Sequence, residues 1–292
     1  MRILLAACLV TFAVVAAGAA EPVTAGDGEM KVFHYRDASG NDAARCEIEV
    51  HFPKGHDASK PVPAVILFHG GAWRRGDRED MRPICEYLAG RGIVAASANY
   101  QFQRDKKDVK QKRNCITSAK SAIRWYKQHA AELGVDPSRI VTGGSSAGGH
   151  ICLLATLNPG LNHPDDPADI DTSVAAYLLF CPAVKTKIHE GDPEVHFEKH
   201  LGNGMAPALV FLGENDSWNG HWSRSHEVAK QAGIKAAEQW VGPGQPHGFT
   251  KEEPWRTLAF IKIDEFLVSQ GLLTGACTLE APATGEQLVK KE

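Results

Sequence analysis

The chain has 292 residues, 43% of them hydrophobic and 23% charged, an ordinary globular composition with length for one large α/β domain and a sizeable single core. Its formal net charge of -3 excludes a long-range pull on nucleic acid, and the basic stretch at 104–113, diluted by Asp105 and Asp108, reads as a solvated surface loop.

The N-terminus carries Arg2, an apolar run over 3–17, then Gly18, Ala19 and Ala20. This is the pattern of a secretory signal peptide at 1–20. The apolar run is short for a membrane span, so the expectation is a secreted or periplasmic protein with no stable membrane anchor once the leader is removed. The apolar run continues past Cys8, which argues against a lipidation box there. Six cysteines follow the leader: Cys46, Cys85, Cys115, Cys152, Cys181 and Cys277. Disulfides are allowed in that compartment but not demanded. Cys152 and Cys181 fall in apolar patterns and read as buried small hydrophobes. With no C-x-x-C pair or compact Cys/His cluster, no metal site is expected.

Residues 46–52 alternate as a strand, and 62–68 form an apolar strand that ends at His69-Gly70-Gly71-Ala72-Trp73. A helix follows from about 82 to 89, then a buried strand at 93–99 and a long amphipathic helix over 116–133. Asp136-Pro137 marks a turn. A short β-branched strand at 138–142 leads to Gly143-Gly144-Ser145-Ser146-Ala147-Gly148-Gly149-His150 and a helix over 147–157. Strands at 174–180 and 208–212, a helix at 223–232, a strand at 235–241 and a helix at 254–268 complete a catalytic domain over 21–270. The tail at 271–292, rich in small and polar residues, is expected to be poorly ordered. Strands and helices that take turns predict the α/β class, with a mostly parallel central sheet covered by helices on both faces. No internal repeat or second domain is apparent.

In such sheets ligands sit beyond the carboxyl ends of the strands. The stretch 69–73, Ser146, Asp216 and His247 each follow a predicted strand, so four separate segments converge on one rim. Gly144, Ser146 and Gly148 form a G-x-S-x-G elbow, in which a serine on a tight strand-to-helix turn projects its hydroxyl into a cleft. That hydroxyl needs a base. His247, in the turn before the last helix, is the candidate, whereas His150 reads as a packing residue at the start of its helix. Asp216 is the best carboxylate to orient the base, giving the chain order Ser, Asp, His. Glu214 and Asp192 are its rivals. Gly70, Gly71 and Ala72, with the N–H of Ala147, are candidate oxyanion donors. Trp73 and Trp218 read equally well as pocket lining or as core packing.

At this point the chain resembles the α/β-hydrolase superfamily, in the branch of hormone-sensitive-lipase-like carboxylesterases and bacterial feruloyl and acetylxylan esterases. The resemblance rests on 69–73, Asn99-Tyr100, Asp136-Pro137-Ser138-Arg139-Ile140, the stretch 144–150, Gly213-Glu214-Asn215-Asp216 and His247-Gly248-Phe249. It implies Ser146 as nucleophile, Asp216 as acid, His247 as base, and Gly71, Ala72 and Ala147 as oxyanion donors. Ala72 stands where many relatives have a third glycine. Asn99 precedes Tyr100 where relatives often have an acidic or other residue before Tyr-Arg, and Ser118 fills a position often acidic in this branch. The expected function is hydrolysis of a small-molecule or carbohydrate ester through an acyl-enzyme, with no cofactor. The short segment between 181 and 206 leaves little room for a large lid, favouring a short acyl group such as acetyl, and secretion makes an acetylated polysaccharide a candidate substrate. Two other readings are an arylformamidase- or peptidase-like amide hydrolase, and a non-catalytic binding protein on the same scaffold. Retention of nucleophile, base and oxyanion glycines argues against the last.

Overall fold

The computed structural model describes residues 28–37, 40–184, 191–201, 204–231 and 237–291, so the expected leader at 1–20 lies outside the described residues. Among those described, strands β1 (Met30–His34), β2 (Glu47–His51), β3 (Val62–Phe68), β4 (Val94–Ala98), β5 (Val135–Ser145), β6 (Ala176–Phe180), β7 (Ala208–Gly213), β8 (Glu238–Gly242) and β9 (Val289–Lys291) lie in one sheet. Their order is β1-β2-β4-β3-β5-β6-β7-β8-β9. The run from β4 through β8 is parallel. Antiparallel pairs close both edges, β1 and β2 on one side and β9 on the other.

Two apolar layers explain why the central strands are hydrophobic on both faces. Ala64, Ile66 and Phe68 of β3 face a core shared with α2 (Lys112–Gln128) and α4 (Ala147–Leu157), through residues such as Ile116, Ile123 and Ile151. The alternate residues Val65 and Leu67 face a second core with α1 (Arg82–Gly90) and α6 (Trp255–Ser269), through Ile84, Leu88 and Ile263. The chain passes from β3 to β4 on one side, then crosses to β5 on the other. That reversal opens a crevice at the carboxyl ends of β3 and β5, where residues 69–73 and Ser146 lie.

Three expectations need correction. The tail is not a loose end: β9 pairs antiparallel with β8, Val289 opposite Val241, while Leu272, Leu273 and Leu288 are buried. Apolar anchors at both ends of an otherwise polar segment hold it down. The helix expected over 116–133 starts earlier, at Lys112, and breaks at His129 into α2 and α3 (Ala130–Leu133). Both the backbone N–H and Nδ1 of His129 bond the Trp125 carbonyl, closing the first helix, and the left-handed Gly134 ends the second. Asp136-Pro137 lies within β5, where the pairing with β3 shifts register. Its turn chemistry persists locally, Asp136 accepting from the Ser138 N–H and hydroxyl.

Cys46, Cys85, Cys115, Cys152 and Cys181 are buried free thiols, and Cys277 is free and half-buried. No helix among the described residues is long and apolar enough to cross a membrane.

Candidate active site

The chain leaves β5 at Ser145 and enters α4 at Ala147, so it turns on Ser146 alone, with φ +52° and ψ -113°. A non-glycine residue in such a region costs on the order of 1–3 kcal/mol and needs its surroundings to hold it. The surroundings do so with hydrogen bonds. The Ser146 N–H donates to the Phe180 carbonyl at 2.8 Å, and its own carbonyl accepts from Ala183 and His150 N–H at 3.0 and 3.2 Å. Gly144 and Gly148 allow the close approach, because a Cβ on either would collide with the Phe68 carbonyl oxygen at the end of β3.

His247 Nε2 lies 2.8 Å from Ser146 Oγ, and its Nδ1 lies 2.8 Å from Asp216 Oδ2. The Asp216 side chain has no exposed surface, whereas His247 is about a third exposed, 34%. A carboxylate can only accept, so Nδ1 carries the proton and Nε2 is left to accept from the serine hydroxyl. The second carboxylate oxygen of Asp216 accepts the Trp218 N–H at 2.9 Å. The rival carboxylates are engaged elsewhere. Glu214 is exposed and accepts the Gly244 N–H. Asp192 is held by both arms of Arg113 at 2.7 and 2.6 Å, and those hydrogen bonds keep its carboxyl below the usual range despite burial.

The oxyanion candidates flank this hydroxyl. A Cβ on Gly70 would stand 3.5 Å from Ser146 Cβ, so the loop after β3 passes beside Ser146. Gly71 has φ +121° and Ala72 φ +53°. Ala147 is the first residue of α4, where N–H groups have no intrahelical partner and the helix dipole favours negative charge.

Trp218 is half-buried with its ring 6.2 Å from the His247 ring, placing it at the site. Trp73 instead packs inward, 5% exposed, with its indole N–H donating to His150 Nδ1 at 3.2 Å. His150 is thus fully enclosed and packs, as its position suggested. Sequence reasoning missed the placement of Cys181. Its sulfur, the Asp216 carboxylate and a His247 ring nitrogen all lie within 4.8 Å of one another. Burial pushes its thiol up to about 12, so it meets the carboxylate protonated rather than as a thiolate ligand. Its position just past β6, at the carboxyl rim of the sheet, does not by itself distinguish a residue beside Asp216 from a buried small hydrophobe.

Two cavities adjoin these segments. One of about 110 Å³ is lined by Met81, Ile84, Ser145, Phe180, Thr250 and Lys251, among others. A polar groove of about 680 Å³ is lined by Asp42, Arg45, Gln101, Phe102, Arg104 and Asn114, together with Gln111. The Phe102 ring is 6.1 Å from that of His69, one residue from Gly70.

Comparison with known proteins adds ancestry to this geometry. Residues 48–188 match the BD-FAE family model. A probable carboxylic ester hydrolase, LipM of Mycobacterium tuberculosis, is 34% identical over 135 residues, 42% of this chain and 28% of the relative. Carboxylesterase NlhH of the same organism is 34% identical over 105 residues, 35% of this chain and 32% of the relative. The chain therefore spans about a third of the length of these curated relatives. The likeness to a solved enzyme is far more extensive. Thermogutta terrifontis esterase 2, phosphorylated by paraoxon, superposes with a TM-score of 0.75 and 32% identity, over 86% of this chain and 97% of that one. The same esterase with propionate bound gives 0.74 and 30%, over 85% and 96%. Identity sustained over almost the full length of a solved esterase, on the same fold, places this chain in the hormone-sensitive-lipase-like carboxylesterase family of the α/β-hydrolases.

Proposed function

We propose that this protein is a serine carboxylic ester hydrolase acting through Ser146, His247 and Asp216 on short-chain acyl esters, acetyl groups on carbohydrate among them. One observation carries the reading: a serine hydroxyl, an imidazole and a buried carboxylate are joined by two hydrogen bonds of 2.8 Å each in the order the chemistry requires.

Ser146 Oγ attacks the ester carbonyl carbon as its proton passes to His247 Nε2, and Asp216 stabilises the imidazolium that forms. The carbonyl oxygen, now an alkoxide, takes hydrogen bonds from backbone N–H groups of the 70–72 loop and of Ala147. Collapse of this intermediate expels the alcohol, which takes the proton from Nε2, and leaves the acyl group on Oγ. Water then attacks the acyl carbon, giving its proton to Nε2. The second collapse returns that proton to Oγ and releases the acid.

A short acyl group suits the small cavity beside Ser145 and Phe180, about 110 Å³, which is smaller than an apolar cavity of roughly 150 Å³ that takes up a benzene ring. The propionate and butyrate found bound to the Thermogutta terrifontis esterase 2 are of this size. The polar groove on the oxyanion-loop side supports an alcohol moiety rich in hydroxyls. The leader-like 1–20 segment supports export, which fractionation of cells expressing the full chain would test.

The function is tested by acid release from acetyl, butyryl, octanoyl and feruloyl esters and from acetylated xylan, with Ser146→Ala as control. Serine-dependent turnover falling off with acyl length, with acetate released from the glycan, is the expected result. Turnover of amides but not esters would move the assignment to an amide hydrolase, and no turnover above the control would leave a binding protein on this scaffold.

A further inference from the structure

Residues 71, 72 and 73 all have positive φ, +121°, +53° and +63°. Only the first is glycine. Ala72 and Trp73 therefore hold a backbone that L-residues avoid at a cost on the order of 1–3 kcal/mol each, and such backbone persists where its neighbours over-determine it. The neighbours gather on Trp73. Its carbonyl accepts from the Gln103 N–H at 2.8 Å and from the Cys115 thiol at 3.9 Å. The Lys112 ammonium lies 4.0 Å from the centroid of its ring, and its indole N–H reaches His150 Nδ1 at 3.2 Å.

His150 has no exposed surface, and its Nε2 lies 2.9 Å from the Val195 carbonyl. A carbonyl only accepts and an indole N–H only donates. Nε2 therefore carries the imidazole proton and Nδ1 is the bare acceptor, a tautomer set by the two partners. The same residue is tied to the nucleophile's turn, since its backbone N–H donates to the Ser146 carbonyl. It stands one turn along the helix that begins with Ala147. A side-chain hydrogen bond across 77 residues of sequence thus joins the two backbone segments that flank Ser146 Oγ.

We propose that the Trp73–His150 hydrogen bond is a positioning contact that fixes the spacing between the oxyanion donors of the 70–72 loop and the Ala147 N–H. Neither side chain touches the reacting atoms. The contact acts on the developing oxyanion through Ala72 on one side and α4 on the other, so it governs turnover and leaves ground-state binding alone. The inference rests on the ester-hydrolase reading above.

Trp73→Phe removes the donor and keeps an aromatic ring under Lys112. His150→Leu removes the acceptor from the other side, so the test does not depend on one variant folding. His150→Gln can still present an oxygen to Trp73 and an N–H to Val195. Each is compared with the full wild-type chain on p-nitrophenyl acetate, with active sites counted by a phosphonate and inhibition measured with a phenylboronic acid, which forms a tetrahedral adduct on serine. Trp73→Phe and His150→Leu should each lower kcat by about 10- to 100-fold with KM changed less than about threefold, as expected for misplaced oxyanion donors. Boronate affinity should fall in parallel, the double variant should be no worse than either single one, and His150→Gln should recover most of kcat. A lower melting temperature with unchanged kcat per titrated site and unchanged boronate affinity would overturn the contact as a positioning device. A wild-type chain without Ser146-dependent turnover would overturn the functional reading first, and the positioning role with it.

Discussion

The two oxygens of Asp216 have different tasks. Oδ2 accepts from His247 Nδ1 and Oδ1 from the Trp218 N–H, so the carboxylate cannot rotate without losing one of them. Asp216→Asn keeps the shape, and keeping the Trp218 bond turns the amide NH2 toward Nδ1. That donor favours the tautomer with Nε2 protonated, which cannot accept the Ser146 proton. The variant should lose about 10⁴-fold in kcat with its melting temperature nearly unchanged, the size of loss this substitution causes in a serine-protease triad. Glu214→Gln, which alters only an exposed contact to Gly244, should retain kcat. Equal losses in the two variants would refute the assignment of Asp216. That Asp216 would lie beside His247 was legible because its distance past the strand leaves loop enough to reach back toward the histidine. The Cys181 thiol beside it was not, because its φ of +48° and its proximity to the carboxylate exist only once β6 and β7 are paired.

Glycines on helices show how the element that follows Ser146 is built. In a helix, glycine to alanine ordinarily stabilises by about 0.4–1 kcal/mol, by restricting the unfolded chain. At Gly220, in the first turn of α5 (Asn219–Gln231), nothing lies within 4 Å of an added Cβ, and Gly220→Ala should raise the melting temperature accordingly. At Gly148 an added Cβ would collide with the backbone of Phe68 and His69. There the sign reverses: α4 must move off β3, and Gly148→Ala should lower both melting temperature and kcat. Thermal scans and initial rates on the two variants check the pair, and a stabilised Gly148→Ala would contradict the close helix–strand approach. The elbow's glycine spacing made this packing readable from the sequence. The parallel strands were readable too, since burial on both faces leaves continuous apolar runs. The edge strands were not: β1 alternates only between exposed and half-buried positions and β9 is exposed throughout, so their pairing depends on the neighbouring strand and leaves no apolar pattern.

For the molecule as a whole, enclosing neutral imidazoles ties stability to pH. Burial pulls His69 down to about 4, against the hydrogen bond to the Gly70 carbonyl that favours its charge. Burial, with the Lys112 ammonium nearby, pulls His150 down to about 3. An unfolded histidine takes up its proton near pH 6.5. Above that both states are neutral at these positions and the stability is fully present. As the pH falls below 6.5 the unfolded chain binds protons that the folded one excludes, and stability drops by about 1.4 kcal/mol per pH unit for each such histidine until the folded value is reached. Glu49 acts in a lower window. Burial opposes its charge, but hydrogen bonds from Arg82 and His51 outweigh this and hold it down to about 2, so its contribution fades only below the ordinary glutamate range. Comparing pH 7 with pH 5 therefore isolates histidine titration from the loss at Glu49. The unfolding free energy from urea titration should be lower at pH 5, and His150→Gln should shrink that difference by about 2 kcal/mol, the share of one histidine over 1.5 units. A His150→Gln variant with the full wild-type pH difference would mean that the imidazole takes up a proton in the folded state, which the bare Nδ1 facing the Trp73 N–H does not permit.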